Sequence, residues 1–277
     1  MQPDGPATHP IEIQPEDFEM RTRTFRPLPV LLAGLASWAF TSPAVAWDQC
    51  EHRADRRASL DTAGVARVAI SARAGDLEVK PTDGTTLVAA GPACASSAEF
   101  LDQTNVAVRR EGDTLRVDVL VPENMIGLGV SYATLDLTVS VPASLPIEIT
   151  DSSGDVLAAD VRVVKLTDSS GDVVLRHPRA DLEVWDSSGD VRIEDAAGRV
   201  QVRDSSGDIV IIGAKEVVIP SDSSGDISIQ RVAGSVRIEQ DSSGDIRVAD
   251  VGRNFELLGD SSGEVKVSGV KGEVHLP

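Results

Sequence analysis

The chain has 277 residues, enough for one large domain or two small ones around a buried core. Hydrophobic residues make up 41% and aromatics only 3%, which excludes a chain disordered by composition and calls for an aliphatic core. Acids outnumber bases 44 to 26, and the resulting charge of −18 repels nucleic-acid phosphates and anionic lipid headgroups while attracting cations.

The N-terminus reads as an export signal preceded by extra sequence. Arg21, Arg23 and Arg26 form a basic region, and Leu28 to Phe40 an apolar stretch too short to span a bilayer comfortably. Ala44-Val45-Ala46 then offers an A-x-A cleavage site before Trp47. Residues 1–19 are acidic and proline-bearing, which a signal peptide does not require. The expected organisation is therefore an upstream extension at 1–19 with the true start at Met20, and a signal peptide at 20–46. The mature chain is expected in the periplasm or at the cell surface, with no membrane insertion after cleavage. Cys50 and Cys94 are both in the mature part, and an even pair in an exported chain predicts a disulfide.

Residues 47–150 read as an N-terminal β region, continuous with the C-terminal half of the chain and covering its N-terminal end. Val65 to Ser71 and Asp76 to Lys80 have strand patterning, and Ala74-Gly75-Asp76 looks like a worn turn. Gly91 to Ser97 reads as a loop. Asn105 to Arg109, Thr114 to Val121 and Tyr132 to Val141 are further alternating runs, with a hairpin turn at Gly112-Asp113.

A repeat fills residues 151–277. Asp-Ser-Ser-Gly-Asp recurs with its first Asp at 151, 168, 186, 204, 222 and 241, and a seventh copy starts at Asp260 and ends in Glu264. The steps are 17, 18, 18, 18, 19 and 19 residues, which signals stacked units. Between turns lie two short runs of alternating apolar and polar residues, such as Val191 to Glu194 and Val200 to Arg203. Two half-buried strands per coil cannot close a core alone, but stacked coils can. Equivalent strands would then pair in parallel about 4.8 Å apart, with inward Val, Ile and Leu in continuous ladders. The predicted fold is all-β: a right-handed parallel β-helix, or β-solenoid, with two-strand coils of about 18 residues. In the coils ending at 222, 241 and 260 the second inward pair sits one place early, which predicts one extra bulge or turn residue before the next turn.

The turns supply the candidate site. Asp and Ser before Gly are sufficient in themselves to build a tight turn, because Asp accepts nearby N–H groups and Gly takes positive φ. Stacking would also place the first acids (Asp151, Asp168, Asp186, Asp204, Asp222, Asp241 and Asp260) in one row. The second acids (Asp155, Asp172, Asp190, Asp208, Asp226, Asp245 and Glu264) would form another. Neighbours repelling by roughly 1 kcal/mol in water must be hydrogen-bonded, staggered or neutralised. Carboxylate, hydroxyl and carbonyl oxygens are what Ca²⁺ takes, so this acidic ladder is a candidate cation or ligand surface. Catalysis has little support: His9, His52, His177 and His275 are scattered, and no serine is paired with a base and orienter by pattern.

Leu135 to Pro142, then Ile147 to Thr150, then the iterated Ser-Gly-Asp-Val/Ile turns resemble the bacterial β-strand-repeat family called domain of unknown function 4097, also named "putative adhesin"; Gly75 to Val79 resembles its opening element. The resemblance spans roughly 65–277. It implies an exported β-helix-like domain and brings no reaction or catalytic residues. The uniform Asp-Ser-Ser-Gly-Asp turn departs from that pattern. The expectation is a non-enzymatic adhesin-like or envelope-scaffold protein whose partner is an envelope or extracellular protein or glycan. A carbohydrate-active enzyme and a purely structural spacer are the alternatives. The final strand, ending at Leu276, predicts weak end-to-end self-association.

Overall fold

The computed structural model describes residues 50–123 and 131–277, which belong to one compact unit spanning Asp48–Pro277. The upstream extension and signal peptide lie outside the described residues. No helix among the described residues is long and apolar enough to cross a membrane.

The fold is all-β, a solenoid whose coils each give one strand to each of two parallel sheets. In the first sheet Val156–Ala159, Val173–Arg176, Val191–Glu194, Ile209–Ala214, Ile227–Val232, Ile246–Val251 and Val265–Val270 pair in succession. In the second, Pro146–Thr150, Arg162–Thr167, Leu182–Trp185, Arg199–Arg203, Glu216–Ser221, Val236–Ile238, Phe255–Leu257 and Val274–His275 do the same. Registers join like to like: Val173, Val191, Ile209, Ile227 and Ile246 form one ladder, and Leu175, Ile193, Ile211, Ile229 and Val248 the next. These side chains are 0–1% exposed and meet the second sheet's Val184, Val200, Val202, Val217, Ile219, Val236 and Ile238 in one aliphatic core. The two ladders are separated by an outward row (Val174, Arg192, Val210, Ser228 and Arg247), so a slip of one residue would turn the buried ladders to solvent.

Unequal coil lengths are absorbed at bulges. The pairing of Gln201 with Val218 is followed by Arg203 with Ser221, so an extra residue enters at Ile219–Pro220, ahead of the Asp222 turn as the pattern predicts. A second shift lies between Val163 and Lys165.

The N-terminal strands join the stack out of chain order. Leu77–Thr82 lies between Val156–Ala159 and Leu137–Pro142, and Arg67–Ser71 lies between Pro146–Thr150 and Thr114–Leu120. Asn105–Glu111 and Thr114–Leu120 form an antiparallel hairpin around Gly112-Asp113. Gly91 to Ser97 is not the expected loop: Gly91 to Ala95 complete the strand Thr86–Ala95. Its partner is the edge strand His52–Asp61, unforeseen because it is rich in arginine and half exposed. A short helix, Ala98–Gln103, follows, capped by Ser97. Arg56 of the edge strand donates to the Leu101 and Thr104 carbonyls at the end of that helix, both at 2.7 Å. Cys50 and Cys94 form the expected disulfide, tying this strand pair together.

Candidate functional site

Pleat parity decides where each turn acid points. Val184 faces the core, so Asp186, two residues on, does too; Asp190 precedes the inward Val191 and faces out. The two acid rows are therefore chemically different.

Within a turn the first acid bonds its own backbone, while the second serine, the glycine and the second acid bond the neighbouring coils. In the Asp204–Asp208 turn, Asp204 Oδ1 accepts from the N–H groups of Ser205 (2.6 Å) and Ser206 (3.2 Å). Ser206 Oγ donates to the Ser187 carbonyl of the preceding coil at 3.1 Å, and Gly207 N–H donates to the Ser224 carbonyl of the following one at 3.0 Å. Asp208 N–H donates to Asp190 Oδ1 (2.9 Å), and Asp208 Oδ1 accepts from Asp226 N–H (2.8 Å). Gly207 has φ +138°, which an L side chain rarely adopts, and a Cβ there would overlap the Gly189 carbonyl below. The worn turn obeys the same plan: Asp76 Oδ1 accepts from Asp155 N–H at 3.0 Å. Asp136, which lacks the Ser-Ser-Gly context, extends the row by accepting from Asp76 N–H at 3.2 Å.

The inner row is buried. Asp151, Asp168, Asp186, Asp204, Asp222 and Asp241 are 0–5% exposed, whereas Asp260 is half-buried. One carboxylate oxygen of Asp168, Asp186 and Asp204, and both of Asp151, Asp222 and Asp241, lie buried without a hydrogen-bond partner. Burial, reinforced by the charge of a neighbouring rung, pushes Asp151, Asp186 and Asp222 up to about 7. Burial also raises Asp168, Asp204 and Asp241; the serine N–H groups of their own turns oppose it at Asp168 and Asp204, and the charge of Asp260 adds to it at Asp241.

The outer row is solvated. Asp155 and Asp172 are exposed, and Asp190, Asp208, Asp226 and Asp245 are half-buried. With Oδ1 committed to the next rung's N–H, Oδ2 is the atom that can meet a ligand. One residue of this chain shows what fits there. Arg247 places Nη1 2.9 Å from Asp226 Oδ2 and Nη2 2.6 Å from Asp245 Oδ2, bridging two successive rungs. Burial alone would raise Asp226, but the Asp245 N–H and the Arg247 guanidinium hold it below its ordinary value.

Arg247 stands two residues after its rung, in an outward row that reads Glu78, Leu157, Val174, Arg192, Val210, Ser228, Arg247 and Lys266 by strand register. Arg192 turns instead to Glu194. At Leu157 and Val174 the row is apolar, and there the surface opens into a groove of about 510 Å³. Its floor includes Leu157, Val174 and Pro92, and its rail is Asp136, Asp76, Asp155 and Asp172. Arg176 also lines it, with its Nε 3.4 Å from Glu194 Oε2. Lys80 and Thr138 bind Glu78 and hold its carboxyl below the ordinary value.

No group of three or more His, Cys, Asp or Glu among the described residues is arranged to hold a metal ion. The spacing that lets each outer carboxylate reach the next backbone N–H keeps the rungs in file instead of converging on one centre. His177 stands 3.7 Å from Asp160 and 4.0 Å from Asp195, all well exposed on a second corner. Trp185 is 40% exposed; it donates to Glu183 and is flanked by Lys165 and Arg203, at 4.8 and 5.1 Å from the ring centre. Those cations compete with a sugar for the ring.

No family model and no curated protein matches the chain. Among solved structures it is similar to a "putative adhesin" from Bacteroides fragilis at 16% identity, covering 81% of this chain and 97% of that one, with a TM-score of 0.46. A "putative lipid binding protein" from Parabacteroides distasonis shares 14% identity over 79% of this chain and 96% of that one, with a TM-score of 0.43. A "putative cell adhesion protein" from Clostridium sporogenes shares 10% identity over 81% and 98%, with a TM-score of 0.37.

Proposed function

We propose that the protein is an exported, non-enzymatic, adhesin-like scaffold that binds a basic partner through the outer acid row where it borders the groove. Arg247 carries this reading: a guanidinium spans two rungs of the same row through oxygens that stacking leaves free. At Asp76, Asp155 and Asp172 the chain supplies apolar Leu157 and Val174 in place of that arginine, so an arginine or lysine can come from outside. The occupant is an extended segment of an envelope or extracellular protein that alternates basic and small apolar side chains. The disulfide and the stretch preceding Trp47 support an extracytoplasmic location.

The test is fluorescence anisotropy with a labelled peptide alternating arginine and alanine. Binding that weakens with added salt is expected. Val174→Arg should abolish it, because the new guanidinium fills the Asp155–Asp172 bridge from within. Undiminished binding by Val174→Arg overturns the reading. Arg176 among the groove acids is the one observation favouring a carbohydrate-active enzyme. Release of reducing ends from acidic polysaccharides, lost in Arg176→Ala, would replace the scaffold reading with that one.

A further inference from the structure

The six inner aspartates form a file of carboxylates, one per coil, sealed between the turns and the core. Their backbones stay in parallel register, as the bridges Asp222 to Asp241 and Asp241 to Asp260 show. Neighbouring rungs are therefore about one strand spacing apart, near 4.8 Å. Like charges buried at that separation cannot all be ionised unless something neutralises them.

The groups facing the row are known. From the row itself each aspartate meets its neighbours, including Asp260 beyond Asp241. From the outer row, Asp76, Asp155, Asp190, Asp208 and Asp226 add further negative potential. The donors are serine N–H groups at three of the rungs: Ser169 to Asp168, Ser187 to Asp186, and Ser205 and Ser206 to Asp204. Among the described residues no lysine, arginine or histidine forms an ion pair with any of the six; Arg247, on the outer face, is engaged by Asp226 and Asp245. The serine donors leave orphan oxygens on every rung, and a hydroxyl on every second carboxyl satisfies two such atoms at once: its own and the one it donates to.

We infer that the buried row is a proton-holding stack, in which protonated and ionised aspartates alternate along the solenoid and tighten it in mild acid. Burial raises both Asp151 and Asp168, and the contact between them adds to the rise at Asp151 and opposes it at Asp168, the asymmetry expected if Asp151 holds the proton. The stack titrates as a coupled set, with Asp151, Asp186 and Asp222 keeping protons to about pH 7. Since an unfolded aspartate loses its proton near 3.8, the native chain binds more protons between these values. Its stability is highest at the acid end of that window and falls as pH rises through about 7.

The experiment is urea denaturation of the purified protein from about pH 5 to about pH 8, with calcium chelated throughout. The expected result is a midpoint that falls with pH, with a slope near pH 6 corresponding to about three protons released on unfolding. Asp186→Asn and Asp222→Asn should each remove about one proton from that slope and raise the midpoint at pH 8. Should neither variant fold, the infrared carbonyl stretch of protonated carboxyl groups in the wild-type protein at pH 6 is the second readout, and its presence supports the stack. A midpoint that rises or stays level from pH 5 to pH 8, or absence of that infrared band, overturns the inference. So does calcium that restores the midpoint at pH 8 and abolishes the slope, because cations would then occupy the row.

Discussion

Gly207→Ala tests the stacking directly, and its cost can be worked from the turn. Gly207 sits at φ +138°, and an added Cβ would overlap the Gly189 carbonyl oxygen and lie 2.6 Å from its carbon. Holding an L residue in so sparse a region costs about 1–3 kcal/mol. Relieving the overlap separates two coils at the turn and weakens the bond from Gly189 N–H to the Ser206 carbonyl and the one from Ser206 Oγ to the Ser187 carbonyl, at about 1 kcal/mol each. The expected loss is about 3–5 kcal/mol. Gly112→Ala is the control: Gly112 also has positive φ, +63°, but a Cβ there meets nothing within 4 Å, so its cost is about 1–2 kcal/mol. Guanidinium denaturation followed by circular dichroism, with hydrogen exchange at the neighbouring turns, reads both. Equal losses in the two variants would refute the claim that glycine is there to let the coils approach.

Ile211→Ala removes a fully buried rung of the core ladder and should cost about 2–5 kcal/mol by the same denaturation measurement; a loss under about 1 kcal/mol would mean the ladder is loosely packed. Reducing Cys50–Cys94, whose partners lie 44 residues apart, should lower stability by up to about 4 kcal/mol and speed exchange in His52–Asp61; unchanged exchange there would show that pairing with Thr86–Ala95 suffices to hold that strand. Arg247→Gln should bring the titration of Asp226 back up, visible as a shift in its carboxyl carbon resonance with pH; no change would mean that the guanidinium does little at that bridge. Sedimentation at high concentration should show weak self-association through the two coils bearing exposed Leu258, Val274 and Leu276, and a strictly monomeric profile would contradict it.

The coils were legible because two signals coincide: a nearly constant step between Asp-Ser-Ser-Gly turns and period-two apolar residues between them. The bulge before Asp222 was legible for the same reason, since Val217 and Ile219 keep their parity only if a residue is added. The remaining features have weaker local signals. His52–Asp61 reads as polar because its partly buried positions include His52 and Arg56, and the role of Arg56 depends on a helix 45 residues away. Gly91 and Pro92 suggested a loop, yet they lie mid-strand beside Asp136 and Leu137, where Gly91 lets the backbones meet. Asp136 joins the outer row without its motif. The opposite facing of the two acid rows was available in the sequence through parity, Asp186 being in phase with Val184 and Asp190 out of phase with Val191. The second corner, where Asp160, His177, Asp195, Arg231 and Asp250 take positive φ without being glycine, has no sequence marker of that kind.

The most direct test of the central claim, that stacking consumes the turn's polar groups and leaves the outer carboxylates for a basic partner, is a calorimetric competition. The chelator-treated protein is titrated with the arginine-alanine peptide, with calcium alone, and with the peptide in the presence of excess calcium. The account predicts a single class of peptide sites that persists in calcium, with no binding of a series of calcium ions. Heat from several calcium ions with a large rise in melting temperature, and peptide binding displaced by them, would contradict it and make the turns a metal ladder.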